Sequence, residues 1–391
     1  MLTTYRRVYS RPGAFAFSAT ALVARLPISM MTLGIVLLVS SLSGSYGLAG
    51  QVSAAYIVGN AVFAIPHGRL ADRFGQGKVL YVDTVAFAVT TSLMIASIVE
   101  DWAMPWPHVW AALAGAAIPQ VGTMVRARWA HLLPVASERH TAFAAESVFD
   151  EVVFVTGPAL VTLLATAVAP QAGLVAAVTV GTVGTLALAV QRRTEPPAHP
   201  RDPTTRRDPM PWGLLVPLTV AAIALGSLFG ALEVATVAFA DDHGHKAYSG
   251  LMLGAFSLGS LLAGVVAGTI VWRRAPLERV RIGAALLAVG TLSLPFLPNL
   301  TVATVALFVT GMTLAPTLIT LFSLIEASVP RSRLNEAMGF VQTGMSGGIA
   351  PGAWLAGLVA DGSSGSAAYW VCTVSAALAA LAAVFIRSGE H

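Results

Sequence analysis

The chain has few charged residues and almost no cysteine. Lys, Arg, Asp and Glu form 11% of its 391 residues, whereas they form about a quarter of a soluble globular domain. The single cysteine, Cys372, excludes an intrachain disulfide and is expected to be a small buried hydrophobe. Hydrophobic residues form 56% of the chain, and the mean hydropathy is +0.75. The composition excludes an ordinary soluble domain and predicts a protein embedded in the lipid bilayer.

The sequence also lacks patterns that are typical of catalytic and metal sites. His67, His108 and His131 are scattered without metal-ligand spacing. No phosphate-binding loop and no soluble basic module for nucleic acid are present. We expect no enzymatic activity, no cofactor, no metal and no nucleic-acid partner. The apolar stretch after Arg11 is too long for a signal-peptide core and is expected to remain as the first helix.

Apolar runs that are long enough to cross a bilayer recur along the whole chain. They do not alternate in polarity, so they predict α-helices, which satisfy their own backbone hydrogen bonds in lipid. The sequence predicts twelve spans, at 14–42, 48–68, 79–99, 105–127, 141–167, 172–191, 213–240, 248–272, 279–298, 300–328, 334–360 and 366–387.

Positive charge is distributed unevenly between the loops. Of the 23 Lys and Arg residues, all except Arg25 and Lys246 fall on one side if the N-terminus is cytoplasmic. This asymmetry follows the positive-inside rule and predicts that both termini are cytoplasmic. We expect a monomeric, multi-pass protein of the cytoplasmic membrane, with its basic loops near anionic lipid headgroups.

A polar, proline-rich segment at 192–212 is predicted to be a cytoplasmic linker between two six-helix bundles, residues 1–191 and 213–391. An internal repeat supports this division into two pseudo-symmetric halves of an all-α membrane protein. A shift of 200 residues aligns three glycines and an arginine, placing Gly50, Gly59, Gly68 and Arg73 on Gly250, Gly259, Gly268 and Arg273.

A charged, glycine-rich segment separates the second and third spans. Its identifying residues are Gly68, Leu70, Ala71, Asp72, Arg73, Gly75 and Leu80. They match the loop between helices 2 and 3 of the major facilitator superfamily of secondary transporters, which the chain resembles. Gln76 and Gly77 stand where basic residues are usual, and Lys78 is one place late. The resemblance implies a transporter whose two halves rock about a central site.

The resemblance also implies that this segment gates the transporter. The residues of the predicted gating loop are Gly68, Asp72, Arg73, Gly75 and Lys78. In families with this motif, the aspartate lies near the start of helix 11, here close to Arg333 and Glu336, and the arginine joins a cytoplasmic charge network. A carboxylate at a helix N-terminus gains about 0.3–1 kcal/mol, which suits a reversible latch. A plain, positively charged turn is the alternative interpretation.

Ionisable residues within the spans are the candidates for proton coupling. They are Arg25, Asp150, Glu151 and Glu233. A buried arginine beside a carboxylate can balance the effect of burial on the protonation of that carboxylate. The alternatives are a fixed ion pair that holds helices together and, for Arg25, a position at the cytoplasmic helix end.

Other charged residues are expected to be structural. Glu146 is expected to form a salt bridge with one of the nearby arginines Arg126, Arg128 and Arg139. Asp83 is expected to belong to a charge network at the cytoplasmic end of its helix.

Gly157 and Pro158 are predicted to form a hinge in the fifth span. They are similar to the Gly-Pro near the end of a helix 5 motif in drug–proton antiporters, although the other glycines of that motif, including the final pair, are absent. The substrate is expected to bind near mid-membrane, with candidate contacts at Met30, Met31, Asn60, Gln120, Phe229, Thr313, Thr317 and Gln342.

The expected function is therefore proton-coupled export of a small amphipathic or moderately polar solute. The alternatives are an importer of a small nutrient and, in a different class, a sensor or assembly factor with a transporter fold.

Overall fold

Fifteen α-helices account for most of the described chain. A computed structural model describes residues 2–198, 210–269, 274–329 and 334–386, and it assigns no strand within these ranges. The helices are α1 Leu2–Tyr9, α2 Ala14–Ser43, α3 Tyr46–Phe74, α4 Gln76–Val99, α5 Trp106–Ala117, α6 Val121–Leu132, α7 Ala136–Ala167, α8 Ala172–Ala189, α9 Trp212–Asp242, α10 Tyr248–Thr269, α11 Pro276–Leu292, α12 Leu300–Gly311, α13 Leu314–Ser328, α14 Leu334–Gly362 and α15 Gly365–Val384.

Most of the predicted spans coincide with long apolar helices. Within the described ranges, 10 helical segments are long and apolar enough to cross a membrane. The two predicted spans outside this set, 105–127 and 334–360, correspond to α5–α6 and α14. The all-α class is confirmed, whereas the total of twelve spans and the side of the termini stay predictions. Residues 199–209 of the predicted linker lie outside the described ranges.

Two predicted spans are each divided into two helices, so the prediction of a continuous helix was wrong there. The fourth is interrupted at residues 118–120, where Ile118 adopts an extended backbone conformation. The cause is Pro119, which lacks an N–H and disfavours a helical conformation in the residue before it. The tenth is interrupted at residues 312–313, and Pro316 lies in the first turn of the helix that follows.

The chain divides into two compact units. Unit 1 contains Met1–Ile35 and Val58–Pro203, and unit 2 contains Val36–Ile57 and Thr204–His391. The end of α2 and the start of α3 therefore belong to the same unit as α9–α15. The division into bundles at residues 1–191 and 213–391 stays a prediction.

An aromatic cluster lies at the centre of the core of unit 1. The Trp129 ring, which is fully buried, meets the rings of Tyr9 and Phe17 edge-on, at centroid distances of 5.5 Å and 4.6 Å. Val8 of the short helix α1 is also fully buried in this core. The sequence did not predict α1, which packs against α7 and fixes one side of the tryptophan.

Glycines bring helix backbones into direct contact in both units. A Cβ atom on Gly59 would overlap the carbonyl oxygen of Ala112 in α5, and one on Gly259 would overlap that of Phe308 in α12. These glycines are equivalent in the 200-residue repeat, so the same contact recurs in each unit. Gly50 lies on the opposite face of α3 from Gly59, and a Cβ atom on Gly50 would be 2.7 Å from the carbonyl oxygen of Ala353. Small residues thus permit the close packing that drives association of membrane helices.

The contact between α9 and α14 gives a direct test of this packing. A Cβ atom on Gly348 would overlap the carbonyl oxygen of Ile223, whereas one on the adjacent Gly347 would have open space within 4 Å. We expect Gly348→Ala to destabilise the protein by about 1–3 kcal/mol, because overpacking forces the helices apart. Gly347→Ala is the matched control and should be neutral or slightly stabilising. Thermal unfolding of the purified protein in detergent measures both, and equal melting temperatures would contradict the packing.

Candidate functional site

Arg25 is the centre of a buried charge cluster in unit 1. Its side chain on α2 is 2% exposed and pairs with two carboxylates on α7. One guanidinium nitrogen bonds Glu146 Oε2, and the other lies 2.6 Å from Asp150 Oδ1. The two acids are four residues apart on one face of the helix. Arg25 is therefore buried beside carboxylates, whereas its role in proton coupling stays a prediction.

Glu146 accepts hydrogen bonds at both carboxylate oxygens. Oε1 accepts from Ser18 Oγ at 2.6 Å and from Trp129 Nε1 at 2.8 Å, and Oε2 accepts from Arg25. The residue is fully buried, so this charge is stabilised by donors in place of water. The expected structural salt bridge at Glu146 is confirmed, but its partner is Arg25 and not Arg126 or Arg128, because the packing of α2 against α7 supplies Arg25. The side chain of Arg139 lies outside the described residues.

Asp150 connects the buried arginine to a more accessible one. Its Oδ2 atom lies 2.7 Å from a guanidinium nitrogen of Arg126 on α6, while Oδ1 faces Arg25. The Asp150 side chain is 28% exposed and that of Arg126 is 37% exposed. Asp150 also lies near the middle of the 32-residue helix α7. The cluster therefore contains one fully buried carboxylate, Glu146, and one partly exposed carboxylate, Asp150.

The remaining coupling candidates lie elsewhere. Gln120 stands at the break between α5 and α6 and donates to Asn60 Oδ1 on α3, at 2.8 Å. Glu233 is partly buried on α9, in unit 2. The side chain of Glu151 lies outside the described residues. The structure thus brings Arg25 and Asp150 together and places Gln120 in a different polar contact.

The predicted gating loop is much shorter than the sequence suggested. Gly75, with φ of 92°, is the single residue between α3 and α4, so Gly68 lies within α3 and Lys78 within α4. This left-handed conformation favours glycine. Asp72 and Arg73 are exposed in the last turn of α3. The C-terminal end of a helix disfavours a carboxylate, so local structure does not explain Asp72.

Packing explains why the basic residues usual in this motif are absent. Gln76 is buried; its amide donates to the carbonyl oxygen of Met124 and accepts from Arg128 Nε at 2.9 Å. The Gly77 N–H donates to Glu195 Oε1 at 3.0 Å, and a Cβ there would be 2.9 Å from the Ala189 oxygen. A basic residue at position 76 would lose these buried hydrogen bonds, and position 77 has no room for a side chain. The expected latch partners, Arg333 and the Glu336 side chain, lie outside the described residues.

Gly157 allows α7 to approach α2 closely. A Cβ atom there would overlap Ser29 Oγ, which donates to the carbonyl oxygen of Val153 at 2.9 Å. Helix α7 continues through Pro158, so its hinge role stays a prediction.

The candidate substrate contacts occupy both units. Met30 and Met31 are buried in α2, and the Phe229 ring lies edge-on to that of Phe256. The Thr317 hydroxyl is occupied within its own helix, because it donates to Thr313 O at 2.6 Å. Gln342 is exposed on α14.

Sequence reasoning missed a polar cluster in unit 2, here called the outer-end cluster because the predicted topology puts it outside. Its residues are Ser40, Ser45, Tyr46, Asp241, Lys246 and Asp361. Asp361, near the end of α14, accepts from Ser45 Oγ, Tyr46 N and Gly47 N at 2.8, 2.7 and 2.6 Å. The N–H groups of Tyr46 and Gly47 lie in the first turn of α3, where they have no partner within the helix. A carboxylate is favoured at such a helix N-terminus.

Lys246 completes the outer-end cluster. Its ammonium donates to Ser40 Oγ at 2.9 Å and lies 3.6 Å from Asp241, which accepts from the Tyr46 hydroxyl at 2.6 Å. Burial lowers the pKa of Lys246, and Asp241 partly offsets this effect. Lys246 is the only Lys or Arg in a predicted outer loop, and this feature of the sequence could have identified the cluster.

Comparison with known proteins identifies the family. The Major Facilitator Superfamily model matches residues 15–333 and 250–391. The chain belongs to this superfamily. A search of curated proteins found no significant match. The resemblance seen in the segment at residues 68–80 is therefore confirmed for the whole chain.

Solved structures of several superfamily transporters share the fold. A D-xylose–proton symporter superposes with a TM-score of 0.73 at 14% identity, covering 96% of this chain and 98% of that chain. A nucleoside transporter gives 0.72 at 13%, covering 96% and 99%. An auto-inhibited peptide transporter of the POT family gives 0.71 at 13%, covering 94% of each. Similarity at this level shows a multi-pass membrane transporter fold.

A double-mutant cycle tests the buried ion pair between Arg25 and Glu146. Arg25→Met should cost about 3–5 kcal/mol, because it leaves Glu146 charged and unpaired in the core. Adding Glu146→Gln should recover part of that loss. Thermal unfolding in detergent measures each variant. Arg274→Met, which removes an exposed pair with Glu278, is the control and should cost less than about 1 kcal/mol. Additive losses in the cycle would contradict a direct interaction.

Proposed function

We propose that the protein is a secondary active transporter that exports a small amphipathic or moderately polar solute in exchange for protons. It would act by alternating access in the cytoplasmic membrane. The observation that supports proton coupling is the position of Asp150, a partly exposed carboxylate in the middle of a spanning helix between two arginines. Ionisable residues within spanning helices commonly mark proton and substrate paths.

The four charges of the Arg25 cluster suggest how a proton would act. Arg25 and Arg126 balance Glu146 and Asp150, so the cluster is neutral when both acids are ionised. Protonation of Asp150 would add one positive charge and weaken its contacts to both arginines. Glu146 would keep Arg25 in place, because its own hydrogen bonds are unaffected. The released group would be Arg126 on α6, which links proton binding to a rearrangement of α6 against α7.

The outer-end cluster supports the alternating-access part of the proposal. Its contacts join the start of α3 to the end of α14 through hydrogen bonds at an exposed carboxylate. Such contacts are individually weak enough to break during a transport cycle. We assign them the role of a latch on the outer side, with the Asp72 segment as its proposed counterpart on the cytoplasmic side.

The candidate substrate contacts carry few fixed charges, which suits amphipathic or moderately polar solutes. An importer would use the same proton chemistry with the opposite flux, so the direction of transport needs a direct measurement. A sensor or assembly factor would bind ligand without moving it.

The Asp150→Asn variant tests proton coupling. A ligand is first identified by its stabilisation of the purified protein against heat. In proteoliposomes, Asp150→Asn should reduce transport driven by a pH gradient to the level of protein-free vesicles, because the amide cannot bind the proton. Exchange of labelled for unlabelled ligand, which needs no gradient, should persist. Glu278→Gln, on the exposed surface of α11, is the matched control.

Two results would contradict this assignment. Full gradient-driven transport in Asp150→Asn would contradict the role of Asp150, and full transport in Glu151→Gln as well would place the coupling proton on neither acid. Net export of solute while protons also flow outward would show cotransport and would contradict the proposed exchange.

The Asp361→Asn variant tests the outer latch. Cys372→Ser provides a cysteine-free background, and Ala49→Cys places a fully buried reporter in α3. We expect Asp361→Asn to increase labelling by a membrane-impermeant maleimide roughly tenfold, equivalent to about 1.5 kcal/mol from a weakened charged hydrogen bond. Asp101→Asn, at an exposed acid of unit 1, should leave the rate unchanged. An equal rate in Asp361→Asn and the parent would argue against a latch.

A further inference from the structure

A second pair of ionisable side chains is buried in unit 1, apart from the Arg25 cluster. His67 of α3 and Asp83 of α4 are 6% and 7% exposed. The imidazole Nδ1 atom lies 3.4 Å from Asp83 Oδ2. This position contradicts the expectation that Asp83 belongs to a charge network at the helix end. Its partner within the described residues is a histidine, which is charged only when it carries an extra proton.

The two facing atoms lack the hydrogen bonds that buried polar atoms normally make. Among the described residues, neither His67 Nδ1 nor Asp83 Oδ2 has a hydrogen-bond partner. Glu146, which is buried in the same unit, accepts from Ser18, Arg25 and Trp129. An ionised Asp83 would therefore be an uncompensated buried charge, which is strongly unfavourable. A proton placed between the two atoms removes that charge.

Among the described residues, no fixed charge is in direct contact with the pair. The other titratable groups on the neighbouring helices are Tyr46, Tyr56, Arg69, Asp72 and Arg73 of α3, Lys78 and Tyr81 of α4, His108 of α5, and Arg126, Arg128 and His131 of α6, while α8 has none. Those near the α3–α4 turn are exposed, and Arg126 is paired with Asp150. Arg128 bonds Gln76, which lies two helical turns, or about 10 Å, before Asp83.

The pair also lies beside the break between α5 and α6. The backbone of Ile118, the first residue of that break, faces the His67 ring. Gln120 is the last residue of the break, and its side chain donates to Asn60. Asn60 lies two helical turns before His67, on the same face of α3. The partly exposed Gln120 also donates to the Ile118 carbonyl oxygen at 3.3 Å, so the polar groups of the break lie between Gln120 and the His67 ring. Irregular backbone at membrane depth is typical of sites that are buried or line a polar cavity.

We propose that His67 and Asp83 form a proton-binding site in which one proton is shared between imidazole Nδ1 and carboxylate Oδ2. Binding takes one proton from water and changes the charge of the site from −1 to 0; no other bond forms or breaks. The site shares no residue with the Arg25 cluster and would be occupied whichever way the solute moves. It therefore goes beyond the proposed coupling role of Asp150, and its test needs no transport substrate.

The test is infrared difference spectroscopy of the full-length protein in lipid, recorded as the pH is changed from about 5 to about 8, the range in which histidine-containing sites usually titrate. The carbonyl stretch of a protonated carboxyl group should disappear with rising pH in the parent protein. Asp83→Asn should abolish this band. His67→Gln should keep the carboxyl group but move the midpoint by about one pH unit or more, because the shared proton loses one of its two acceptors.

Controls separate this site from other acids and from misfolding. Thr84→Val changes a buried hydroxyl next to Asp83 and should leave both band and midpoint unchanged. All spectra are also recorded in an Asp150→Asn background, which removes any band from that acid; the component that Asp83→Asn abolishes should be the same in both backgrounds, so failure of the coupling proposal and failure of this one are distinguishable. A band that persists in Asp83→Asn in this background, or a midpoint unaffected by His67→Gln, would overturn the proposal. If Asp83→Asn does not fold, the His67→Gln midpoint alone decides the outcome.

Discussion

The cost of placing the Arg25 charge in the interior of a helix bundle governs the arrangement of unit 1. A buried guanidinium must have its charge and its donors compensated. Two carboxylates on α7 do this for Arg25, so α2 and α7 are held in one register. Glu146 in turn requires Ser18 and Trp129, and the aromatic cluster around Trp129 holds α1 in place. The buried charge of Arg25 thereby constrains how α1, α2 and α7 pack together.

Three buried or partly buried acids of unit 1 differ in how fully their charges are satisfied. Glu146 accepts bonds from three side chains and is fully buried, which suits a structural anchor. Asp150 is held by two arginines and is partly exposed, which fits the proton exchange proposed for it. Asp83 faces only a histidine at 3.4 Å among the described residues. The number of donors around each carboxylate thus distinguishes Glu146 from the two acids that are proposed to bind protons.

The sequence predicted the helices well, and most of its errors have local or long-range causes that can be named. Hydropathy placed the start of the first span at residue 14, where α2 begins, because the transition from polar to apolar sequence is sharp there. Hydropathy could not detect the breaks at residues 118–120 and 312–313, because the flanking residues are apolar on both sides. The predicted partner of Glu146 was wrong because the arginines near the loop lie closer to Glu146 in the predicted topology than Arg25 does.

The sequence by itself determined the membrane setting, the approximate spans and the family, because these depend on local hydropathy, loop charge and the motif around Asp72. The tertiary structure alone decided which acid meets which base. Arg25 and Glu146 are 121 residues apart along the chain, and the close approach at Gly157 brings their helices together. His67 and Asp83 become a pair because the Gly75 turn folds α4 back beside α3. Such pairings depend on how helices pack, and no local pattern of residues specifies them.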